Sequence, residues 1–215
     1  MFVFVMSSFY TRGVIINIKN MALKGQHTTT GFIQWSELTS LVLKLQRDEE
    51  YKFSLLIGTG AFTGLRISDV LSLSWQQLLD KDIIELNEKK TGKHRKIKIN
   101  TDLQALIKSN YKAMGQPELD TLVFVNKYGT KQINVQWVNV KLKEILTKYG
   151  IKTENPSTHS LRKSFGRRVW ELNDYSEKSL VLLSELFNHS NIQITKRYLG
   201  IKEKELFDVY DSLSI

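Results

Sequence analysis

The side chains able to do chemistry in this chain concentrate between Asn155 and Tyr198, in NPSTHSLRKSFGRRVW and, further on, SLVLLSELFNHSNIQITKRYLG. His159 and Arg162 stand three residues apart behind Pro156 and the Ser157/Thr158 pair, a helix entrance, so both belong on one face near a helix N-terminus. Two donors suited to phosphate oxygens then lie side by side. Leu180, Leu183, Leu186 and Phe187 give the next helix an apolar stripe, and Asn188 follows where a left-handed residue ends a helix. That puts His189 on the turn. Tyr198 comes nine residues later, at the end of a short helical run closed by Gly200, so its phenol can return towards the same place. A lone histidine is ordinarily a surface or core residue and a lone tyrosine ordinarily packs. Only the ordered combination argues for a site.

A further cation lies in TGLRISDVLSLSW. Gly64 breaks the preceding helix, Arg66 opens the next turn, and Leu65, Ile67, Val70, Leu71 and Leu73 surround it. A guanidinium among aliphatics needs an anionic partner, because an unpaired buried charge is costly. Asp69 or a ligand must supply it. Runs from Ile83 to Lys89 and from Arg95 to Asn100 flank Thr91, Gly92, Lys93 and His94, which predicts a small antiparallel hairpin. Lys90 sits where the first strand enters the turn, with Lys89 and Lys93 close by. A charged tip is either a solvated loop or a finger to lay against a polyanion. His94 reads as a turn residue or a backbone contact.

The elements that must carry these groups are mostly helical. Trp35, Leu38, Leu41, Val42 and Leu45 predict a helix from Phe32 with Ser36 as a cap, and Tyr51 to Phe62 predicts one apolar nearly all round, hence central to the core. Thr101 to Ala113 reads as a capped helix, and Leu122 to Val125 as a short strand or buried turn. Ile133 to Tyr149 reads as an amphipathic helix with a basic outer face. Lys202 to Leu213 closes the chain with Leu206, Val209, Tyr210 and Leu213 as its apolar side. Residues 1–31 show no clear period, and His27 sits in a polar run where a solvated side chain is expected.

Lys and Arg outnumber Asp and Glu by 31 to 22, a net charge of +9 that suits a polyanionic partner. The absence of cysteine excludes disulfides, thiolate metal sites and cysteine catalysis, and fits a reducing compartment. No run has the length of a membrane span, and MFVFVM lacks the basic lead and cleavage site of a signal peptide, so a cytoplasmic protein is expected. No phosphate-binding glycine loop or hydrolase serine elbow is present.

The order Arg66, hairpin lysine, His159-x-x-Arg162, His189, Tyr198 resembles the tyrosine recombinases, the phage-integrase family of DNA strand-exchange enzymes. TGLRISDVLSL is similar to their first arginine box, KKTGKHRKIKI to their β-hairpin, and the likeness covers about residues 32–215. The resemblance implies a mainly α catalytic fold with a small antiparallel β-hairpin (α+β). It implies a site-specific DNA recombinase forming a 3′-phosphotyrosyl intermediate by transesterification, without metal or other cofactor. Arg66 and Arg162 would hold the non-bridging oxygens, His189 would add a hydrogen bond, and His159 would serve as base. Tyr198 would be the nucleophile, Lys90 the donor to the departing 5′ oxygen, and Asp69 a support behind Arg66. Double-stranded DNA and a tetramer formed on it are the implied partners, and the C-terminal helix either docks on a neighbouring subunit of that tetramer or folds back on its own core. Relatives carry an N-terminal helical domain that residues 1–31 cannot make, so a catalytic domain without its core-binding partner, binding DNA weakly, is expected. Asn188 replaces a common glycine, but Asn is the next-best residue for a left-handed helix end. Two other functions share these features: cleavage and rejoining of one duplex, as in type IB topoisomerases, and DNA binding without cleavage.

Overall fold

The computed structural model describes residues 30–213, with backbone only for 202–206. The apolar start, the Val14 to Ile18 patch and His27 lie outside the described residues. Helix α1 (Trp35–Arg47) buries Leu38, Leu41, Val42 and Leu45, the stripe that its spacing predicts, although it begins after Gln34 and Ser36 lies inside it. Helix α2 (Tyr51–Thr63) is buried along almost its whole length from Phe53 to Ala61. Leu55, Leu56 and Ile57 have no exposed surface, each worth roughly 1.5–3 kcal/mol of burial. Gly64 ends α2 at φ 61°, where a β-carbon would collide with the Phe165 ring. Backbone and packing both demand glycine there.

Two short helices, α3 (Ile67–Val70) and α4 (Trp75–Leu78), follow. Strands β1 (Ile83–Asn87) and β2 (His94–Lys98) pair antiparallel with Ile83 opposite Lys98 and Asn87 opposite His94. The hairpin is the expected one, but His94 belongs to its second strand and not to the turn. Helix α5 (Thr101–Ala113) is capped by the Asn100 side chain, and α6 (Val135–Lys148) by that of Asn134. Between them Val123 and Phe124 are buried, flanked by single bridges from Leu122 to Ser74 and Val125 to Gln132. The remaining helices are α7 (Thr158–Leu172), α8 (Glu177–Phe187), α9 (Ile192–Leu199) and α10 (Ile201–Asp211).

The apolar side chains form two clusters. The larger is built from α1, α2, α5, α6 and the α3 to β1 region, and takes Leu161 from α7. The smaller holds Leu180, Leu183, Phe187, Leu199 and Ile201, with Phe165, Val169 and Trp170 of α7 against it. Helix α7 thus spans the seam between them, and Arg162 lies one residue past the point where it leaves the larger cluster. Of the predicted apolar side of α10, Val209, Tyr210 and, just past its end, Leu213 are 59–74% exposed, and Phe207 beside them is 58% exposed, so these side chains face outward. Among the described residues no helix is long and apolar enough to cross a membrane.

Candidate active site

Four segments meet at the seam. The α2 to α3 turn supplies Arg66, which sits at the α3 N-cap with φ −67° and ψ 145°. The first turns of α7, capped by Ser157, supply His159 and Arg162. Asn188 ends α8 in the left-handed conformation, φ 52° and ψ 47°, as expected, and turns His189 inward. Helix α9 is capped by Asn191 and ended by Gly200 at φ 71°, which places Tyr198 in its last turn.

The two arginines converge on one peptide oxygen. Arg162 Nη2 donates to the Phe187 carbonyl at 2.9 Å and Arg66 Nη2 donates to the same oxygen at 3.3 Å. Arg162 Nη1 donates to the Gly64 carbonyl, and its guanidinium lies 4.3 Å from the centre of the Phe187 ring. Arg162 therefore bolts the end of α2 to the end of α8 while remaining only 4% exposed. Burial pulls its pKa down to about 10, so it stays charged at neutral pH.

Tyr198 packs edge-on against Phe187, with ring centres 5.5 Å apart, and at the same separation from His189. Its hydroxyl reaches to 3.5 Å from the His159 carbonyl. Burial pushes the phenol up to about 12, against the pull of the Arg162 and Arg66 charges. The resting phenol is protonated and needs a base. His189 Nδ1 is 2.9 Å from the fully buried Thr195 hydroxyl. Burial, then Arg162 and Arg66, hold its pKa down at about 4, so at neutral pH the ring is uncharged and still able to donate one hydrogen bond. His159 keeps an exposed edge, yet desolvation and then Arg162, Lys163, Lys90 and Arg66 hold it below its ordinary value. A neutral imidazole can accept a proton.

Lys90 is exposed on the hairpin turn. It lines an open cleft of ≈ 240 Å³ together with Arg66, His159, Arg162, Leu65 and Thr158. The sequence-derived set of Arg66, Lys90, His159, Arg162, His189 and Tyr198 is thus gathered in one region of one chain. The expectation for Asp69 is corrected: Arg66 Nη1 pairs with Glu88 Oε2 at 2.7 Å. Asp69, fully buried, instead accepts the Lys89 backbone N–H at 2.8 Å, holding the hairpin turn. Helix α3 carries Asp69 towards that turn, and Glu88, the next inward position after Ile84 and Leu86 on β1, takes the guanidinium. Glu88, Thr195 and Lys163, whose Nζ lies 5.5 Å from the centre of the Tyr198 ring, are neighbours that sequence reasoning missed. Among the described residues, no group of three or more acidic or histidine side chains is placed to hold a metal ion.

The model of the phage integrase family matches residues 34–205. The chain belongs to this family. Among its phage-integrase relatives, the probable integrase/recombinase YoeC of Bacillus subtilis is 34% identical over 144 residues, 67% of this chain and 75% of YoeC. Tyrosine recombinase XerC of Xanthomonas campestris is 29% identical over 152 residues, 70% of this chain but 44% of XerC. The XerH site-specific recombinase, solved in a post-cleavage complex with palindromic difH substrate, matches 90% of this chain and 56% of its own with a TM-score of 0.66. At 19% identity that likeness shows the tyrosine recombinase catalytic fold, and the chain spans about half the length of XerC and XerH.

Proposed function

We propose that this chain is the catalytic unit of a site-specific DNA recombinase that exchanges strands through a 3′-phosphotyrosyl intermediate. The observation that carries the reading is the approach of Tyr198 to the Arg66 and Arg162 pair beside the Phe187 carbonyl, all within one chain. Tyr198 Oη attacks the phosphorus and loses its proton to His159. The charge that builds on the non-bridging oxygens is taken by the forked donors of Arg66 and Arg162 and by a hydrogen bond from His189. The 5′ oxygen departs with a proton from Lys90, and a 5′ hydroxyl of another strand reverses the step.

Duplex DNA is the partner this chemistry requires, and the +9 charge and the DNA-bound XerH both support it. Assembly into a tetramer on DNA has support in the exposed apolar side chains of α10, Phe207, Val209 and Tyr210, and of Leu213 just beyond it. A nicked suicide duplex tests the proposal. Wild type should become covalently trapped, and Tyr198→Phe should bind the duplex without trapping. Trapping by Tyr198→Phe, or none by wild type across a genomic fragment library, would refute it. Relaxation of supercoils without exchange would move the chain to the topoisomerase reading.

A further inference from the structure

Glu88 looks like one more surface charge in a lysine-rich hairpin, yet it is only 1% exposed at the hairpin's foot. Ile84 and Leu86 are the buried positions of β1, and Glu88 continues their alternation, so an acid stands where the pattern calls for another apolar residue. Its two oxygens collect donors from separate elements. Oε2 accepts from Arg66 Nη1 at 2.7 Å and from Thr91 Oγ1 at 2.7 Å, and Oε1 accepts from Arg95 Nη1 at 2.8 Å. The Glu88 main chain closes the turn that carries Lys90: its N–H donates to the Lys93 carbonyl at 2.9 Å and its carbonyl accepts from Gly92 N–H at 2.8 Å. The far side of the turn is tied to the His189 loop, since Lys93 Nζ donates to Asn188 Oδ1 at 2.7 Å and Arg95 Nη1 to the Leu186 carbonyl at 2.5 Å. Burial alone would raise the carboxyl pKa. Thr91, Arg66 and Arg95 outweigh it and keep the group ionised.

A buried carboxylate is a poor way to hold a hairpin, because apolar packing of the same volume is as good or better for stability. It is a good way to fix two functional cations relative to each other. We propose that Glu88 is a positioning residue, which sets the Lys90 turn in register with Arg66 so that proton donor and phosphate clamp meet the DNA as one unit. The inference rests on the recombinase reading above. Lys90 itself is exposed and has a long flexible stem, so its aim depends on the turn beneath it, and Thr91, the next residue, is pinned by Glu88.

The test is single-turnover cleavage of a trapped duplex synthesised with either oxygen or sulfur at the scissile 5′ position. Sulfur leaves as a thiolate and needs no proton, so it hides defects in proton donation and leaves defects in the arginine clamp visible. Thr91→Val cuts the Glu88 link to the turn and spares the one to Arg66, losing besides only the long 3.4 Å bond that Thr91 Oγ1 accepts from Lys93 N–H, at an exposed residue where folding is safe. Glu88→Gln weakens both links. With the oxygen duplex both variants should be slowed, Glu88→Gln by roughly 10- to 100-fold, the scale of a misplaced catalytic group. With sulfur, Thr91→Val and Lys90→Ala should recover wild-type speed, and Glu88→Gln should recover in part. The coupling is overturned if both variants match wild type on oxygen, or if Thr91→Val is equally slow on both duplexes. Lys90→Ala that stays slow on sulfur removes Lys90 as the donor and the coupling with it. A wild type that traps neither duplex defeats the recombinase reading itself.

Discussion

Arg162→Lys separates chemistry from architecture. In the wild type one guanidinium spans the Gly64 and Phe187 carbonyls from a site only 4% exposed, and a single ammonium cannot fork between them. Phe187 keeps the Arg66 donor at 3.3 Å, so the carbonyl left without its guanidinium is that of the buried Gly64. One buried acceptor without a donor costs about 1–3 kcal/mol of stability. Loss of a forked donor to the developing phosphorane charge costs about 2.7–4 kcal/mol of transition-state stabilisation, a rate loss of about 100- to 1,000-fold. The cleavage defect should therefore exceed the folding defect. Urea unfolding measures the second, and single-turnover trapping on a suicide duplex, where the variant is still fully folded, measures the first. If the folded variant cleaves within about threefold of wild type, under ~1 kcal/mol, while stability falls as stated, Arg162 is a strut and its assignment to phosphate is wrong.

Other consequences are open to measurement. His189 is held near pKa 4 and His159 is also lowered, whereas histidines in the unfolded chain titrate near 6.5. The unfolded chain therefore binds more protons in that interval, so this contribution to stability is complete above pH 6.5 and is lost as pH falls towards 4. Urea midpoints should drop across that window, less so in His189→Gln, and a wild-type profile flat across it would contradict the burial of these rings. Gly166→Ala would place a β-carbon 2.7 Å from Leu199 Cδ2 and 2.9 Å from the Phe187 ring, so unfolding should show a loss of about 1–3 kcal/mol. Cleavage should fall too, because Leu199 adjoins Tyr198. Phe207→Asp with Tyr210→Asp, at side chains 58% and 69% exposed, should leave stability within about 0.5 kcal/mol. Sedimentation should show weaker assembly on DNA, and unchanged assembly would rule out docking through α10.

The parts of this protein that were legible in sequence are those governed by local rules. The α1 stripe, the buried α2, the turn residues Gly64, Asn188 and Gly200, and the hairpin all depend on near neighbours, and each stands where its pattern predicts. That Arg66, His159, Arg162, His189 and Tyr198 would lie together was legible because their order along the chain is distinctive. Their immediate partners were not. The oxygen that both arginines share belongs to the Phe187 main chain, which no side-chain pattern reveals. Glu88 lies 22 residues from Arg66 and looks like one more surface charge in a lysine-rich hairpin, whereas Asp69, three residues away, was the nearer candidate. Sequence proximity chose the wrong acid. A strand alternation carried one step past Leu86 would have pointed to Glu88.

Arg162 leans on two peptide oxygens, the Phe187 ring and a neutral phenol, and the carboxylate that eases its charge, Glu88, is already shared by Arg66 and Arg95. The seam thus gathers three guanidinium groups around one carboxylate, a surplus of positive charge that favours a phosphodiester. A phosphodiester bound there would add its own ties to the junction of α2, α7 and α8 that Arg162 already holds, so amide exchange at that junction should slow further when duplex is added.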